Sequence, residues 1–122
     1  MIIGTGVDIT EVARLRKAVE KWGESFLDRV FTKEELENAK TRGSLYQHLA
    51  GRFAAKEAVF KALGDPGLSW KDVEILNDKD GKPCCVLLGP KARKNVGVHV
   101  SISHVKNYAV ANAIITQKNP GA

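Results

Sequence analysis

Two cysteines are all this 122-residue chain contains, and they are neighbours, Cys84 and Cys85. Adjacent residues of a strand point to opposite faces, so a bridge between these two would be strained. There is no CxxC and no second pair, which excludes a cysteine zinc site and a disulfide scaffold. A reducing, cytoplasmic setting is expected. Long hydrophobic runs are missing too. Met1-Ile2-Ile3-Gly4 carries no basic lead and no extended apolar stretch, so neither export nor a membrane span is expected. The chain shows no internal repeat, no linker, no low-complexity segment and no evident Ser-His-Asp set.

What is present fits one domain over residues 1–122, with a loose tail from Gln117 to Ala122. A chain this long buries roughly 65–70% of the surface it exposes when unfolded, enough for a core. Lys and Arg number 19 against 14 Asp and Glu, a net charge of +5. That excess suits an anionic partner without choosing among nucleic acid, a nucleotide and an acidic protein.

Ile2 to Ile9 reads as a strand, with Ile3, Val7 and Ile9 on one face and Gly4, Gly6 and Asp8 on the other. The glycines clear space beside the carboxylate. Thr10 is placed to cap a helix with Glu11 in its first turn, and Val12, Leu15, Val19 and Trp22 share that helix's apolar face. Gly23 offers a stop. Thr32-Lys33-Glu34-Glu35 is a capping box opening a helix to about Lys40. A longer helix spans Leu45 to Leu63, ended by Gly64-Asp65-Pro66-Gly67, with Gly51, Ala54, Ala55, Ala58 and Ala62 as a small-residue packing face. Val73 to Leu76 and Cys84 to Leu88 flank a hairpin-like loop, and Val98 to Ser103 and Tyr108 to Ile115 form a second pair. The fold class is α+β, a long helix packed on an antiparallel sheet.

Several residues carry chemistry. Glu57 borders the stripe of Tyr46, Leu49, Phe53 and Phe60, where a carboxylate is costly without a cation or hydrogen bonds. Its plainest reading is an i,i+4 pair with Lys61, worth a few tenths of a kcal/mol. Asp8 ends a strand on the glycine side, where it either supports the following helix or serves a site. His104 follows Ser101-Ile102-Ser103 at another strand end, and a lone His at a turn is commonly structural. On the first helix Arg14, Lys17 and Lys21 share a charged face, which by itself describes a solvated surface.

Taken together, the segments Gly6-Val7-Asp8-Ile9, Arg52-Phe53-Ala54-Ala55-Lys56-Glu57-Ala58 with Lys61-Ala62-Leu63-Gly64, and Ser101-Ile102-Ser103-His104 resemble those of the acyl-carrier-protein synthases, a type of phosphopantetheinyl transferase. Val30-Phe31-Thr32, Glu35 and Gly81-Lys82-Pro83 fit between them in order and spacing. The likeness runs from Ile2 to about Ile115. It implies that Asp8 and Glu57 bind Mg²⁺, which also touches the coenzyme A diphosphate, in keeping with magnesium's use of few carboxylates, phosphates and waters. It implies that Lys61 neutralises the same diphosphate, that Arg52 and His104 lie along the coenzyme A site, and that Pro83 sits near the nucleotide end. Glu57 is then the first candidate for the base and His104 the reserve. An acidic carrier protein is expected to dock on Arg14, Lys17 and Lys21, and a homotrimer to carry active sites between subunits.

Two rivals come from other classes. A small basic nucleic-acid-binding domain draws on the charge, including Lys91, Arg93 and Lys94, but no RRM, KH or helix-turn-helix pattern appears and the strands lack a spaced aromatic platform. No nucleic acid is therefore expected as a partner. A Mg²⁺-dependent hydrolase of a nucleotide diphosphate would use the same two carboxylates.

Overall fold

Alternation along the first strand sets the architecture. The computed structural model describes residues 1–90 and 92–118, so Lys91 lies outside the described residues. Strand β1 (Ile2–Glu11) pairs antiparallel with β5 (Tyr108–Gln117), which pairs antiparallel with β4 (Val96–His104), giving a sheet of order β1-β5-β4. Helix α4 (Leu45–Leu63) lies across one face of this sheet. The β2 (Val73–Asn77) and β3 (Pro83–Leu87) hairpin stands beside it, and helices α1 (Val12–Trp22), α2 (Glu24–Val30) and α3 (Lys33–Lys40) cover the remaining flank. The α+β reading holds.

The small residues decide how closely helix and sheet approach. Gly51, Ala54, Ala55, Ala58 and Ala62 are buried on α4, opposite buried Ala109, Ala111 and Ala113 of β5. A Cβ on Gly4 would stand 2.1 Å from the Ala62 carbonyl oxygen, and one on Gly6 would stand 2.1 Å from that of Ala58. The space cleared by these glycines is therefore filled by helix backbone. The approach sets Asp8, two residues on, beside the next turn of the same helix.

Local signals land where expected at most ends. Thr32 and Glu35 form a reciprocal capping box, Gly23 closes α1 at φ 58°, and Gly64 closes α4 at φ 64°. Thr10 does not cap α1. Its backbone belongs to the ladder opposite Ala109, which carries β1 on to Glu11, and its hydroxyl donates to Asp8 Oδ2 at 3.2 Å. The start of α1 is fixed instead by the Val12 N–H donating to Asn107 O at 3.0 Å. On α1, Val12 and Leu15 are buried, but Trp22 is 58% exposed. The tail is firmer than expected at its root: Gln117 N–H donates to Met1 O and Lys118 N–H to Asn95 O. Residues 119–122 lie outside the described residues. Cys84 and Cys85 are free, and burial, with Cys84 and Glu35 nearby, pushes the Cys85 thiol up to about 12.

Candidate active site

Asp8 and Glu57 come together from β1 and α4 in a cleft of about 520 Å³, lined also by Arg14, Leu15 and Ala18 of α1, Phe26 of α2, and Phe53. Phe53 stacks between Phe26 and Trp70, with centroids at 6.5 and 5.0 Å, so the wall beside the carboxylates is aromatic and rigid. Burial, and then the charge of Asp8, raise the proton affinity of Glu57, and Lys61 only partly offsets them. Two carboxylates crowded against an apolar wall are what a divalent cation relieves.

Lys61 is not the helix partner of Glu57. Its Nζ reaches across to β1, 3.1 Å from Asp8 Oδ1 and 2.9 Å from Val7 O. The plain i,i+4 reading is thereby replaced by a contact that brings the lysine to the other carboxylate. Asp8 Oδ2 is held separately by Thr10. Among the described residues there is no group of three or more His, Cys, Asp or Glu side chains able to hold a metal. A cation here would be held by Asp8 and Glu57 and completed by substrate oxygens and water, as suits magnesium rather than zinc.

Arg52, Pro83 and His104 meet in a second cleft of about 300 Å³, with Arg42, His48, Gly51 and Asn77. Arg52 is buried, and both its Nη2 and that of Arg42 donate to Asn77 Oδ1, while Asn77 Nδ2 donates to Gly81 O at 2.7 Å. Asn77 thus fastens two guanidinium groups to the β2–β3 turn. Burial lowers the pKa of Arg52, with Arg42 adding to the effect. An arginine remains charged under such a shift, so the cleft is cationic. Burial, then Arg52, Arg42 and His104, bring the His48 imidazole down to about 4, so it is neutral at pH 7. Two anchored guanidiniums around a neutral imidazole give the cleft positive charge of the kind that can pair with phosphate oxygens. Sequence reasoning did not single out Arg42, His48 or Asn77. Only their spatial convergence reveals them.

The two clefts share no lining residue. Asp8, Glu57 and Lys61 form one group, and Arg52, Pro83 and His104 the other. His104 lines the second cleft and Glu57 the first. Arg14, Lys17 and Lys21 are exposed on α1, and Arg14 reaches the rim of the first cleft.

Comparison with known proteins bears on the chain as a whole. Residues 4–113 match the model of the 4'-phosphopantetheinyl transferase superfamily. The holo-[acyl-carrier-protein] synthase of Thermodesulfovibrio yellowstonii is 47% identical, over 95% of this chain and all of that one. The corresponding protein of Protochlamydia amoebophila is 48% identical over 93% and 98%. Among solved structures, the Bacillus anthracis holo-(acyl-carrier-protein) synthase in complex with CoA (3',5'-ADP) superposes with a TM-score of 0.82 at 38% identity, over 98% of this chain and 99% of that one. The Neisseria meningitidis enzyme reaches 0.86 at 32% identity, over 96% and 100%.

Proposed function

The chain belongs to the 4'-phosphopantetheinyl transferase superfamily, as one of its holo-[acyl-carrier-protein] synthases, and from that premise we propose a Mg²⁺-dependent transfer of the phosphopantetheine arm of coenzyme A to a serine of an acidic apo acyl carrier protein. The observation that carries the magnesium part is the convergence of Asp8 and Glu57 in one cleft, with the proton affinity of Glu57 raised and Lys61 seated on Asp8.

In this reading the serine oxygen forms a bond to the β-phosphorus while the bond from that phosphorus to the bridging oxygen breaks, releasing adenosine 3',5'-bisphosphate. Glu57, which lines the cleft that the serine enters, takes the serine proton. Lys61 brings positive charge to the diphosphate, and Asp8 and Glu57 hold the cation. When bound, Mg²⁺ supplies neutralisation of the diphosphate charge. The second cleft takes the nucleotide end, with Arg42 and Arg52 for its phosphate and His104 and Pro83 along the wall.

A homotrimer with sites between subunits accounts for the separation of the clefts, since one subunit's cationic cleft then serves its neighbour's carboxylates. The outer face of the sheet supports this, exposing Ile3, Val7, Ile9 and Val110 at 41%, 59%, 66% and 39%. Docking of the carrier on Arg14, Lys17 and Lys21 is supported by their exposure beside the first cleft. Among the described residues no helix is long and apolar enough to cross a membrane, and we place the enzyme in the cytoplasm.

The test is an intact-mass spectrum of apo carrier protein incubated with the enzyme, coenzyme A and Mg²⁺. The expected result is one added phosphopantetheine per carrier and its loss in excess chelator. Full transfer in chelator would remove the magnesium assignment. Cleavage of coenzyme A with an unmodified carrier would point to hydrolysis instead.

A further inference from the structure

Thr10 is a buried polar side chain that the fold has released from the duty its sequence position suggests. It does not cap α1, and its backbone is paired in the ladder opposite Ala109. Its side chain shares a face of β1 with Asp8, two residues back, and both residues line the cleft that holds Glu57. Thr10 is 9% exposed, and its hydroxyl donates to Asp8 Oδ2 at 3.2 Å. The two oxygens of Asp8 are therefore held differently. Oδ1 meets Lys61 Nζ at 3.1 Å, at the end of a long side chain that is mostly in solvent. Oδ2 meets a hydroxyl on a short β-branched stem, stiff at χ1, whose backbone the sheet fixes.

Resting on the magnesium reading above, we propose that Thr10 is the positioning residue of the cation site. Its hydroxyl pins one oxygen of Asp8 and so orders the carboxylate before a divalent cation arrives. An aspartate turns about two side-chain bonds, and a ligand that must stop turning on binding weakens the complex by that lost freedom. A hydrogen-bond partner of the ligating carboxylate removes this loss in advance, and deleting such a partner lowers metal affinity by about 10–100-fold. The demand is sharp here. Among the described residues no third His, Cys, Asp or Glu joins Asp8 and Glu57 as a group able to hold a metal. With so few protein ligands, the orientation of each decides more of the affinity. Packing points the same way. Gly4 and Gly6 set β1 against the Ala62 and Ala58 carbonyls, so the strand cannot slide to follow a carboxylate that turns. An apolar isostere at residue 10 would fill the same volume and leave Oδ2 without its donor, on a side chain only 15% exposed. Asp8 would then turn toward another partner, since a poorly solvated oxygen is costly to leave unpaired.

The experiment compares the full-length wild type with Thr10→Val and Thr10→Ser. Valine keeps the branched stem and removes the hydroxyl, whereas serine keeps the hydroxyl and removes the methyl. Mn²⁺ is the probe, its free concentration followed by electron paramagnetic resonance with coenzyme A present, and Mg²⁺ is then added to compete it off. Thr10→Val is expected to weaken both ions about tenfold and Thr10→Ser by less than about threefold. In transfer assays the Mg²⁺ concentration that gives half the maximal rate should rise by the same factor in Thr10→Val, with most of the rate recovered at saturating Mg²⁺. A merely structural role predicts another order: serine, lacking the methyl, becomes the less stable variant, and Mn²⁺ affinity follows neither substitution. Unchanged Mn²⁺ and Mg²⁺ affinities in Thr10→Val overturn the proposal. So does a Thr10→Ser that binds both ions as poorly as Thr10→Val. Should valine fail to fold, Thr10→Ala set against Thr10→Ser makes the same comparison of a hydroxyl present and absent. A wild type that binds neither ion strikes the magnesium reading itself, a result distinct from these.

Discussion

Lys56 Nζ lies 2.6 Å from Glu35 Oε1, and neither side chain has any contact with solvent. The ammonium also donates to Val30 O at 2.7 Å and Trp70 O at 3.0 Å, while the carboxylate accepts from the Thr32 and Ile75 N–H groups, both at 2.8 Å. Five segments, α2, α3, α4, β2 and the short turn Trp70–Asp72, are tied at this one pair. Its worth lies in being complete, because a buried charge left alone costs far more than the pair contributes. Lys56→Met should therefore destabilise the protein by about 3–5 kcal/mol in urea unfolding. Adding Glu35→Gln to it should recover part of the loss, since the amide oxygen still accepts from one of the two N–H groups. A single variant as stable as wild type would mean the pair contributes nothing.

Gly6 makes a second prediction through packing alone. Its hydrogen faces the Ala58 carbonyl, and the methyl of Gly6→Ala would arrive at 2.1 Å, inside any tolerable contact. Backbone cannot yield there as a flexible side chain would. Strand β1 must move away from α4, taking Asp8 from Glu57. Loss of about 1–3 kcal/mol of stability is expected, with transfer falling further than thermal melting alone explains. Near-wild-type activity in Gly6→Ala would show that the Asp8–Glu57 spacing is not set by this contact.

Much of this was legible because it is local. The capping box at Thr32, the stops at Gly23 and Gly64 and the small face of α4 are each written within a few residues, and each stands in the fold. The hydrophobic pattern does not announce α2, seven residues held mainly by tertiary contacts. Thr10 had the composition of a cap, but strand pairing with Ala109 decided its backbone. Glu35 and Lys56 look like surface charges in a linear reading, because nothing local says that they meet. The site divides in the same way. Asp8, Glu57 and Lys61 were placed by family likeness, whereas Arg42, His48 and Asn77 come from three separate segments that only the tertiary fold gathers.

His48 gives a pH prediction. Burial, and then Arg52, Arg42 and His104, lower its native pKa to about 4, against 6.5 for the free, solvent-exposed imidazole. Below pH 6.5 the unfolded chain binds a proton that the native state refuses until about 4, so this residue's contribution to stability is full above 6.5 and is lost on acidification through that window. His48→Phe should flatten the fall of melting temperature across it. In NMR titrations, adenosine 3',5'-bisphosphate should move the His48 midpoint upward, since bound phosphate offsets the arginines. A midpoint near 6.5 in the free protein would contradict the cleft's electrostatics.

The sign is opposite at Glu57. Its pKa is raised above 4.5 by burial and Asp8, so in the absence of divalent cations its contribution is present below 4.5 and declines as pH rises through the native value. Melting curves of wild type and Glu57→Gln without divalent ions should diverge in that sense, the variant lacking the decline. At pH 7, Mg²⁺ should raise the melting temperature of wild type more than that of the variant. Equal stabilisation of both would remove Glu57 as a ligand.

Lys61 is the place where structure and chemistry separate most cleanly. Its side chain is 54% exposed while that of Asp8 is 15%, so their contact at 3.1 Å is an ordinary surface bridge in energy, worth at most about 1 kcal/mol. Lys61→Met keeps the length and the apolar stem and removes only the charge. Unfolding should therefore shift by less than about 1 kcal/mol. Transfer, if the ammonium meets the diphosphate, should fall by about 10²–10³ in kcat/KM, the scale of losing a preorganised charge at a reacting centre. Lys61→Arg should recover part of the rate, because a cation returns in altered geometry. A variant that loses stability and rate in proportion would confine Lys61 to holding Asp8. One that keeps nearly full rate would leave the diphosphate to the cation and the arginines of the second cleft.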